Sequence, residues 1–249
     1  MSAASSAILA AMVCVSCSRR ARPNDTFPAP IGPHDSGPPG ESGGETSGDS
    51  AEPGKLVFRQ VSCGNAHACG VTVDDQVVCW GGEELGRLDV PPGTRFLSVD
   101  AGRSESCGVA LDGSVACWGW DAWGFEVVGQ GDPPPFRFVQ VSVADVHACG
   151  ITEDHAVACW GAETGSSPPY YFPYPRYETG FVAVGTGNEL TCLLGEQGHV
   201  HCQGVCAAGN CAAPRGQFAQ LSVGYYESCV IDALGSVDCW SDATGALRG

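Results

Sequence analysis

Fifteen of the 249 residues are cysteine, and ten of these form five pairs with one shared spacing. Cysteine thiols bind metals or form disulfides, and proteins of the reducing cytosol rarely contain so many. Within each pair the second cysteine follows the first by ten residues. The repeated spacing predicts one disulfide in each of five similar units: Cys69–Cys79, Cys107–Cys117, Cys149–Cys159, Cys192–Cys202 and Cys229–Cys239.

The second unit shows why this spacing suits a disulfide. Its turn, Leu111-Asp112-Gly113, is a three-residue hairpin loop with glycine at the position that requires the left-handed conformation. Counting outward from the loop places Cys107 opposite Cys117 in a non-hydrogen-bonded pair, where side chains approach most closely. Zinc sites usually draw their ligands from closer pairs such as C-x2-C, so metal binding is the weaker alternative. We predict neither a metal nor a cofactor.

The other cysteines have separate predicted roles. Cys206 and Cys211 bracket a short segment of the fourth unit and are predicted to close a small local disulfide. Cys63 is left over from this pairing. Cys17 follows the small residue Ser16 at the end of an apolar run, which resembles the lipobox of bacterial lipoproteins, so Cys17 is the predicted lipidation site.

The cysteine pairs lie within a repeating pattern of short strands, as expected of a chain rich in glycine and proline. Each unit opens with an extended segment led by phenylalanine. A second strand then carries the first cysteine, and a return strand carries the second cysteine, followed by tryptophan in four units and by Gln203 in the fourth. The leading phenylalanines are Phe58, Phe96, Phe138, Phe181 and Phe218.

These units resemble the regulator of chromosome condensation repeat in its cysteine-bearing bacterial form. The resemblance rests on His67-Ala68-Cys69, His147-Ala148-Cys149, the hairpin Asp112-Gly113-Ser114-Val115 and Cys79-Trp80-Gly81. It implies an all-β fold, a β-propeller with five repeat units over residues 55–249, whereas the family most familiarly has seven blades. Closure into a small ring is favoured because it protects edge strands, with an open arc or an incomplete propeller as alternatives.

The charge of the chain excludes some classes of partner. Its formal net charge is −16, and residues 55–249 alone hold nine Lys and Arg against 22 Asp and Glu. Such a surface repels phosphate backbones and anionic membranes, so nucleic-acid binding is not expected. The exchange-factor and chromatin roles of the family's eukaryotic founder are not carried over. Secreted bacterial relatives that inhibit β-lactamase show that the scaffold can present a protein-binding face.

The N-terminal residues predict export. Residues 1–17 are interpreted as a signal peptide with the lipobox, although Cys14 stands where that motif usually has Leu and three arginines follow the apolar run. Residues 18–54 are dominated by Pro, Gly, Ser and acidic residues and are predicted to be a disordered linker. The expected location is the bacterial cell surface or outer membrane, with membrane contact only through the lipid. A plain secreted protein is the alternative.

No catalytic motif occurs in the sequence, so we predict that the chain is not an enzyme. His67 and His147 hold the same repeat position, which favours packing or a hydrogen bond within the blade over a role as general base. The tryptophans that follow the second cysteines recur in four units and are predicted to pack between blades. His199 and His201 flank Val200 and could bind a metal weakly, but a solvated strand face is favoured.

The departures from the repeat are the candidate binding residues. An insertion in the third unit concentrates aromatic residues and an arginine, which are favoured at protein-binding hot spots. The alternative is that this loop folds over the rim of the propeller. The predicted function is protein binding, with a structural envelope component and, less favoured, a propeller hydrolase as alternatives; neither the partner nor the oligomeric state follows. The candidate residues are Tyr170, Tyr171, Phe172, Tyr174, Arg176 and Tyr177, with Trp120 and Trp123 in the second unit.

Overall fold

The computed structural model describes residues 56–119, 132–145, 147–161, 179–187, 190–204, 212–224 and 227–241. These residues form fifteen β-strands and one short 3-10 helix, Glu84–Gly86. None of the described helical segments is long and apolar enough to span a bilayer. The strands are β1 (Phe58–Cys63), β2 (His67–Thr72), β3 (Val77–Gly81), β4 (Phe96–Ala101), β5 (Glu105–Ala110), β6 (Val115–Gly119), β7 (Phe138–Val143), β8 (His147–Thr152), β9 (Val157–Gly161), β10 (Phe181–Gly187), β11 (Leu190–Gly195), β12 (Val200–Gly204), β13 (Phe218–Val223), β14 (Glu227–Asp232) and β15 (Val237–Ser241).

Each repeat folds into one antiparallel sheet of three consecutive strands, so there are five sheets in chain order. The first strand of every sheet begins at the phenylalanine that leads the repeat, and a bulge follows it. The all-β class and the division into five units are therefore confirmed. We number the sheets one to five along the chain.

The turn between the second and third strands has the conformation that the sequence predicts. In the second sheet, the amide of Ala110 donates to the carbonyl of Ser114 at 2.7 Å, and Gly113 has φ of 82°. The same left-handed position is occupied by Asp75 in the first sheet and by His155 in the third, with φ of 66° and 61°. A three-residue loop demands this conformation even where glycine is missing.

All five predicted cross-strand disulfides are present. The paired cysteines face each other in register, and their Cα atoms lie 4.0–4.1 Å apart, as expected for close non-hydrogen-bonded pairs. Cys63, which the predicted pairing left without a partner, also forms a disulfide, so that prediction was incomplete. Cys17, Cys206 and Cys211 lie outside the described residues.

The five sheets pack face to face in chain order. The first strands of successive sheets contact one another, and each second strand contacts the first strand of the following sheet. The third strands of the described sheets lack extensive contacts of this kind, so the sheets fan out from an axis lined by the first strands. Cysteine, valine and phenylalanine side chains fill the spaces between sheets.

The stack is open. In the described residues, extensive packing joins the first sheet to the second and so on to the fifth, and the fifth sheet does not close onto the first. The second strands of the first three sheets are buried along their whole length, whereas β14 of the fifth sheet is half exposed. The sequence-based preference for a closed ring was therefore wrong, because local repeat patterns do not specify how the two ends meet.

Candidate interaction surface

The predicted binding loops lie outside the described residues, which exclude 120–131 and 162–178. These ranges contain Trp120, Trp123 and the candidate aromatic and arginine residues from Tyr170 to Tyr177. The first loop falls in the connection from β6 to β7, and the second falls in the connection from β9 to β10. Both connections therefore lead from the third strand of one sheet to the first strand of the next.

The connection between the first two sheets is described and shows the course of such a segment. It begins where Gly82 donates its amide to Ala66, beside the turn between β1 and β2. It ends where Phe96 donates its amide to Asp75, in the turn between β2 and β3. The connection thus crosses from one rim of the stack to the other. We call the rim formed by residues 73–75, 111–113, 153–155, 196–198 and 233–235 the turn rim.

The turn rim exposes apolar side chains next to carboxylates. Leu234 is 92% exposed, Val73 is 64% exposed and Leu111 is 49% exposed. The carboxylates of Asp74 and Asp112 accept hydrogen bonds from hydroxyl groups of their own turns, at 2.6 Å in both cases. These hydrogen bonds lower the pKa of both carboxyls and keep them ionised. The rim is therefore both acidic and apolar.

Three arginines next to the turn rim form hydrogen bonds or ion pairs with its turns. Arg95 donates to the carbonyl of Asp74 at 2.7 Å, and Arg137 donates to the carbonyl of Asp112. Arg59 forms a 2.9 Å ion pair with Asp75 and bridges to the start of β4. Their guanidinium groups hold adjacent sheets together, which leaves carboxylates as the charged groups the rim offers to a partner.

The two repeat histidines are buried, and their hydrogen-bond partners lie in neighbouring sheets and not within their own blade. Nε2 of His67 is hydrogen-bonded to Oγ of Ser106 in the second sheet at 2.7 Å. Nε2 of His147 is hydrogen-bonded to Oγ1 of Thr191 in the fourth sheet at 2.9 Å. Burial lowers the pKa of both histidines to about 4, and the positive charge of Arg87 adds to this at His67. These pairs are closed to solvent, and their arrangement is structural.

Asp100 joins three sheets near the axis. Its Oδ1 accepts from Ser62 of the first sheet at 2.6 Å, and its Oδ2 accepts from the amide of Val143 in the third sheet at 2.7 Å. Burial raises the pKa of Asp100, and these hydrogen bonds oppose the rise. Sequence analysis missed this role, and the signal that could have found it is that Asp100 departs from the serine at the equivalent position of the first, third and fifth repeats.

A metal centre is not formed by the described side chains, among which no cluster of three or more potential ligands occurs. His199 and His201 are both exposed, and Nδ1 of His199 is hydrogen-bonded to the carbonyl of Gly216 at 3.1 Å. The neighbouring Cys202 is bonded to Cys192. The solvated strand face favoured for these histidines is the arrangement found.

Three of the four repeat tryptophans, Trp118, Trp160 and Trp240, pack between blades as predicted, whereas Trp80 lies on the first sheet and is only partly buried. Trp118 belongs to a buried cluster with Cys69 and Val71 of the preceding sheet, and its indole N–H donates to the carbonyl of Arg87 at 3.1 Å. Trp240 packs in the same way on the fourth sheet. These rings are therefore unavailable as ligand-binding groups.

One of the repeats matches a known repeat family. The family model of the regulator of chromosome condensation (RCC1) repeat matches residues 58–87, which is the first repeat. The first repeat therefore matches this family, and the four other described units share its three-stranded sheet and cross-strand disulfide. Comparison with curated protein sequences gave no match.

Three solved structures show the same fold at low sequence identity. The ectodomain of the Physcomitrella patens receptor kinase CR4 is 20% identical in sequence to this chain, with a TM-score of 0.60. The alignment covers 76% of this chain and 53% of the ectodomain. Yeast RCC1 (Prp20), bound to Kap60, is 15% identical with a TM-score of 0.61, and 76% of this chain covers 56% of it. The ectodomain of Arabidopsis thaliana ACR4 is 21% identical with a TM-score of 0.50, with coverage of 79% and 84%. The chain thus spans little more than half the length of the first two of these structures.

Proposed function

We propose that this RCC1-type stack is an exported, non-catalytic module that binds a protein at its loops and turn rim. The observation that carries the proposal is the combination of a disulfide in every sheet with an exposed rim of apolar and acidic groups. Disulfides persist in oxidising compartments, and a rigid scaffold that displays loops is the usual design of a binding protein.

The N-terminal sequence and the structural relatives both support export. The sequence interpretation gives residues 1–17 as a signal peptide with Cys17 as the lipidated residue, followed by a linker over 18–54. Two of the structural relatives are receptor ectodomains. A lipid anchor and a linker would hold the stack at a distance from the membrane, with its rims open to a partner.

The partner surface is expected to be apolar and basic. The exposed side chains of Val73, Leu111 and Leu234 offer apolar area, and the nearby carboxylates attract cations. The aromatic residues at positions 170–177 lie in the sequence between β9 and β10, and the proposal includes them in the binding surface. Yeast RCC1 (Prp20) is a relative with a protein partner, Kap60, which supports binding as a use of this fold.

The binding test compares two variants of the full chain. In the first, Tyr170, Tyr171, Phe172, Tyr174 and Tyr177 are replaced by serine. In the control, the exposed Val139 and Val182 of the first strands are replaced by serine. Saturable binding of the labelled chain to intact cells or a purified candidate partner is measured together with the melting temperature.

We expect the loop variant to lose saturable binding while it melts within a few degrees of the parent, and the control to bind normally. Equal binding by the parent and the loop variant would remove the loop from the interface. If the parent chain binds nothing saturably, the module is instead a structural component of the envelope.

A further inference from the structure

One hydrogen-bond pattern recurs between successive sheets along their first strands. Nε2 of Gln60 donates to the carbonyl of Val99 at 3.0 Å, and its Oε1 accepts from the amide of the same residue at 3.0 Å. Gln140 makes the same pair with Val184, at 2.9 and 3.1 Å. Each glutamine therefore satisfies the open edge of the following sheet with both ends of its amide.

Two further contacts repeat in the same direction. The side chain of Ser62 accepts the amide of Ala101 in the next sheet at 3.1 Å, and Ser142 accepts the amide of Thr186 at 3.0 Å. The left-handed turn residue of each sheet also accepts the amide of the phenylalanine that leads the next one, at 2.7–3.2 Å. Every sheet from the first to the fourth thus has a trailing face that receives its successor.

The fifth sheet has the same trailing groups, and no sheet packs on them among the described residues. Gln220 and Ser222 stand at the repeat positions of Gln60 and Ser62, and Gly235 is the left-handed turn residue. In the described part of the chain their side-chain amide, hydroxyl and turn carbonyl have no hydrogen-bond partner.

The apolar part of this trailing face is also uncovered. Val71 of the first sheet is 0% exposed and Ile151 of the third is 1% exposed, because the next sheet covers them. The equivalent Ile231 of the fifth sheet is partly exposed, and Val237, the first residue of β15, is 38% exposed. Burying these side chains would contribute favourable free energy.

The first sheet has the matching leading face. Val61 holds the repeat position of Val99 and Val184, and the shared register directs its amide and carbonyl toward the open edge of β1. Phe58 and Trp80, which form a tilted pair with centroids 5.4 Å apart, are only partly buried, whereas Phe96 and Trp118 of the second sheet are buried.

The charged position of the interface also matches. Between the first and second sheets, His67 faces Ser106. Between the second and third sheets, Glu105 holds the repeat position of His67, and Ala148 holds that of Ser106. In the same register, Glu227 of the fifth sheet and Ala68 of the first sheet hold these two positions. A contact between these sheets would therefore repeat the glutamate–alanine pairing found between the second and third sheets.

From these observations we propose that the fifth sheet of one copy packs on the first sheet of a second copy, which extends the stack head to tail. The two faces are the halves of the interface already formed between neighbouring sheets, and they lie at opposite ends of an open stack. Such a heterologous contact leaves one free face at each end of the assembly and can add further copies.

The test uses the purified full chain with its disulfides intact and no other protein, so it is independent of the proposed partner. Ile231→Lys places a charge on the trailing face, and Val61→Lys places one on the leading face. Val182→Lys, at an exposed site inside the stack, is the control for charge and folding. The mass in solution is measured by sedimentation across a range of concentrations, and the fold is checked by near-ultraviolet circular dichroism.

We expect the parent and Val182→Lys to gain mass with concentration, and each end variant alone to remain monomeric. An equimolar mixture of the two end variants should restore a dimer of one copy each and nothing larger, because one intact pair of faces remains. A parent that is monomeric throughout, or end variants whose mixture stays monomeric, would overturn the proposal. A parent monomer in which the fifth sheet cross-links to its own first sheet would overturn it in favour of ring closure.

Discussion

Three glycines in the second strands allow phenylalanine rings to lie directly against the backbone. A Cβ built on Gly108 would stand 2.5 Å from Cδ1 of Phe96, and Gly70 and Gly150 face Phe58 and Phe138 in the same way. In the fourth and fifth sheets Leu193 and Val230 replace the glycine, and there Phe181 and Phe218 are less buried than Phe96 and Phe138. The glycine is therefore required by the ring that covers it.

We expect Gly108→Ala to lower the free energy of unfolding by about 1–3 kcal/mol, because the ring of Phe96 must move within a packed interface. Gly195→Ala is the matched control, since its nearest atoms would lie at 3.6 Å, and it should change stability by less than about 0.5 kcal/mol. Denaturant unfolding without reductant measures both. Equal losses in the two variants would contradict the close packing of Phe96.

The buried histidines make stability depend on pH. Their pKa of about 4 in the folded chain lies below the ordinary value of 6.5, so the unfolded chain binds protons first as the pH falls. The free energy of unfolding should therefore decrease between pH 6.5 and 4, by up to about 3 kcal/mol for each histidine.

The pH dependence is tested by unfolding the parent and the double variant His67→Gln, His147→Gln at several pH values. The double variant should show a flatter profile over this window, whereas His199→Gln, at an exposed site, should follow the parent. The raised pKa of Asp100 acts in the opposite direction in all three chains, because protonation of a buried carboxyl favours the folded state. Parallel profiles for all three would contradict the buried, neutral histidines.

At the level of elements, the first strands hold neighbouring sheets together through side chains that bond to backbone groups. Gln60 and Gln220 are the same residue at the same repeat position, but only Gln60 has a following sheet. Substituting each of these two glutamines therefore separates the stabilisation that comes from the contact between sheets from any effect of glutamine within its own strand.

We expect Gln60→Ala to cost about 1–3 kcal/mol of unfolding free energy, because it leaves the amide and carbonyl of Val99 without partners. Gln220→Ala should leave the stability of a dilute, monomeric sample within about 0.5 kcal/mol of the parent. Thermal or denaturant unfolding at low protein concentration decides between them. A larger loss in Gln220→Ala than in Gln60→Ala would contradict the assigned direction of the interface.

The sequence predicted the elements because their signals are local. The spacing of Cys107 and Cys117 about the loop ending in Gly113 determines the hairpin register, and the same count holds in every repeat. The contacts between sheets join residues about 40 positions apart, and nothing next to Gln60 or Asp100 in the sequence indicates them. The candidate loops vary in length and composition and follow no repeat pattern, so their residues remain predictions.

At the scale of the whole molecule, the described residues form an open stack of five three-stranded sheets, and one disulfide crosses each sheet. A unit of about 40 residues buries too little apolar area to be stable alone. Each bridge closes a short loop, which stabilises the fold by about 2.5–3 kcal/mol in the chain-entropy estimate. The acidic charge and the exposed rim are the features on which the proposed binding of a protein partner rests.

Every ten-residue cysteine pair forms a covalent link across one hairpin. Mass spectrometry of the native chain, alkylated and digested without reductant, measures this pairing. We expect five cross-linked peptide pairs, one for each hairpin, and no alkylation at these ten cysteines. Alkylation of the ten cysteines as free thiols, or bridges that join different repeats, would contradict it.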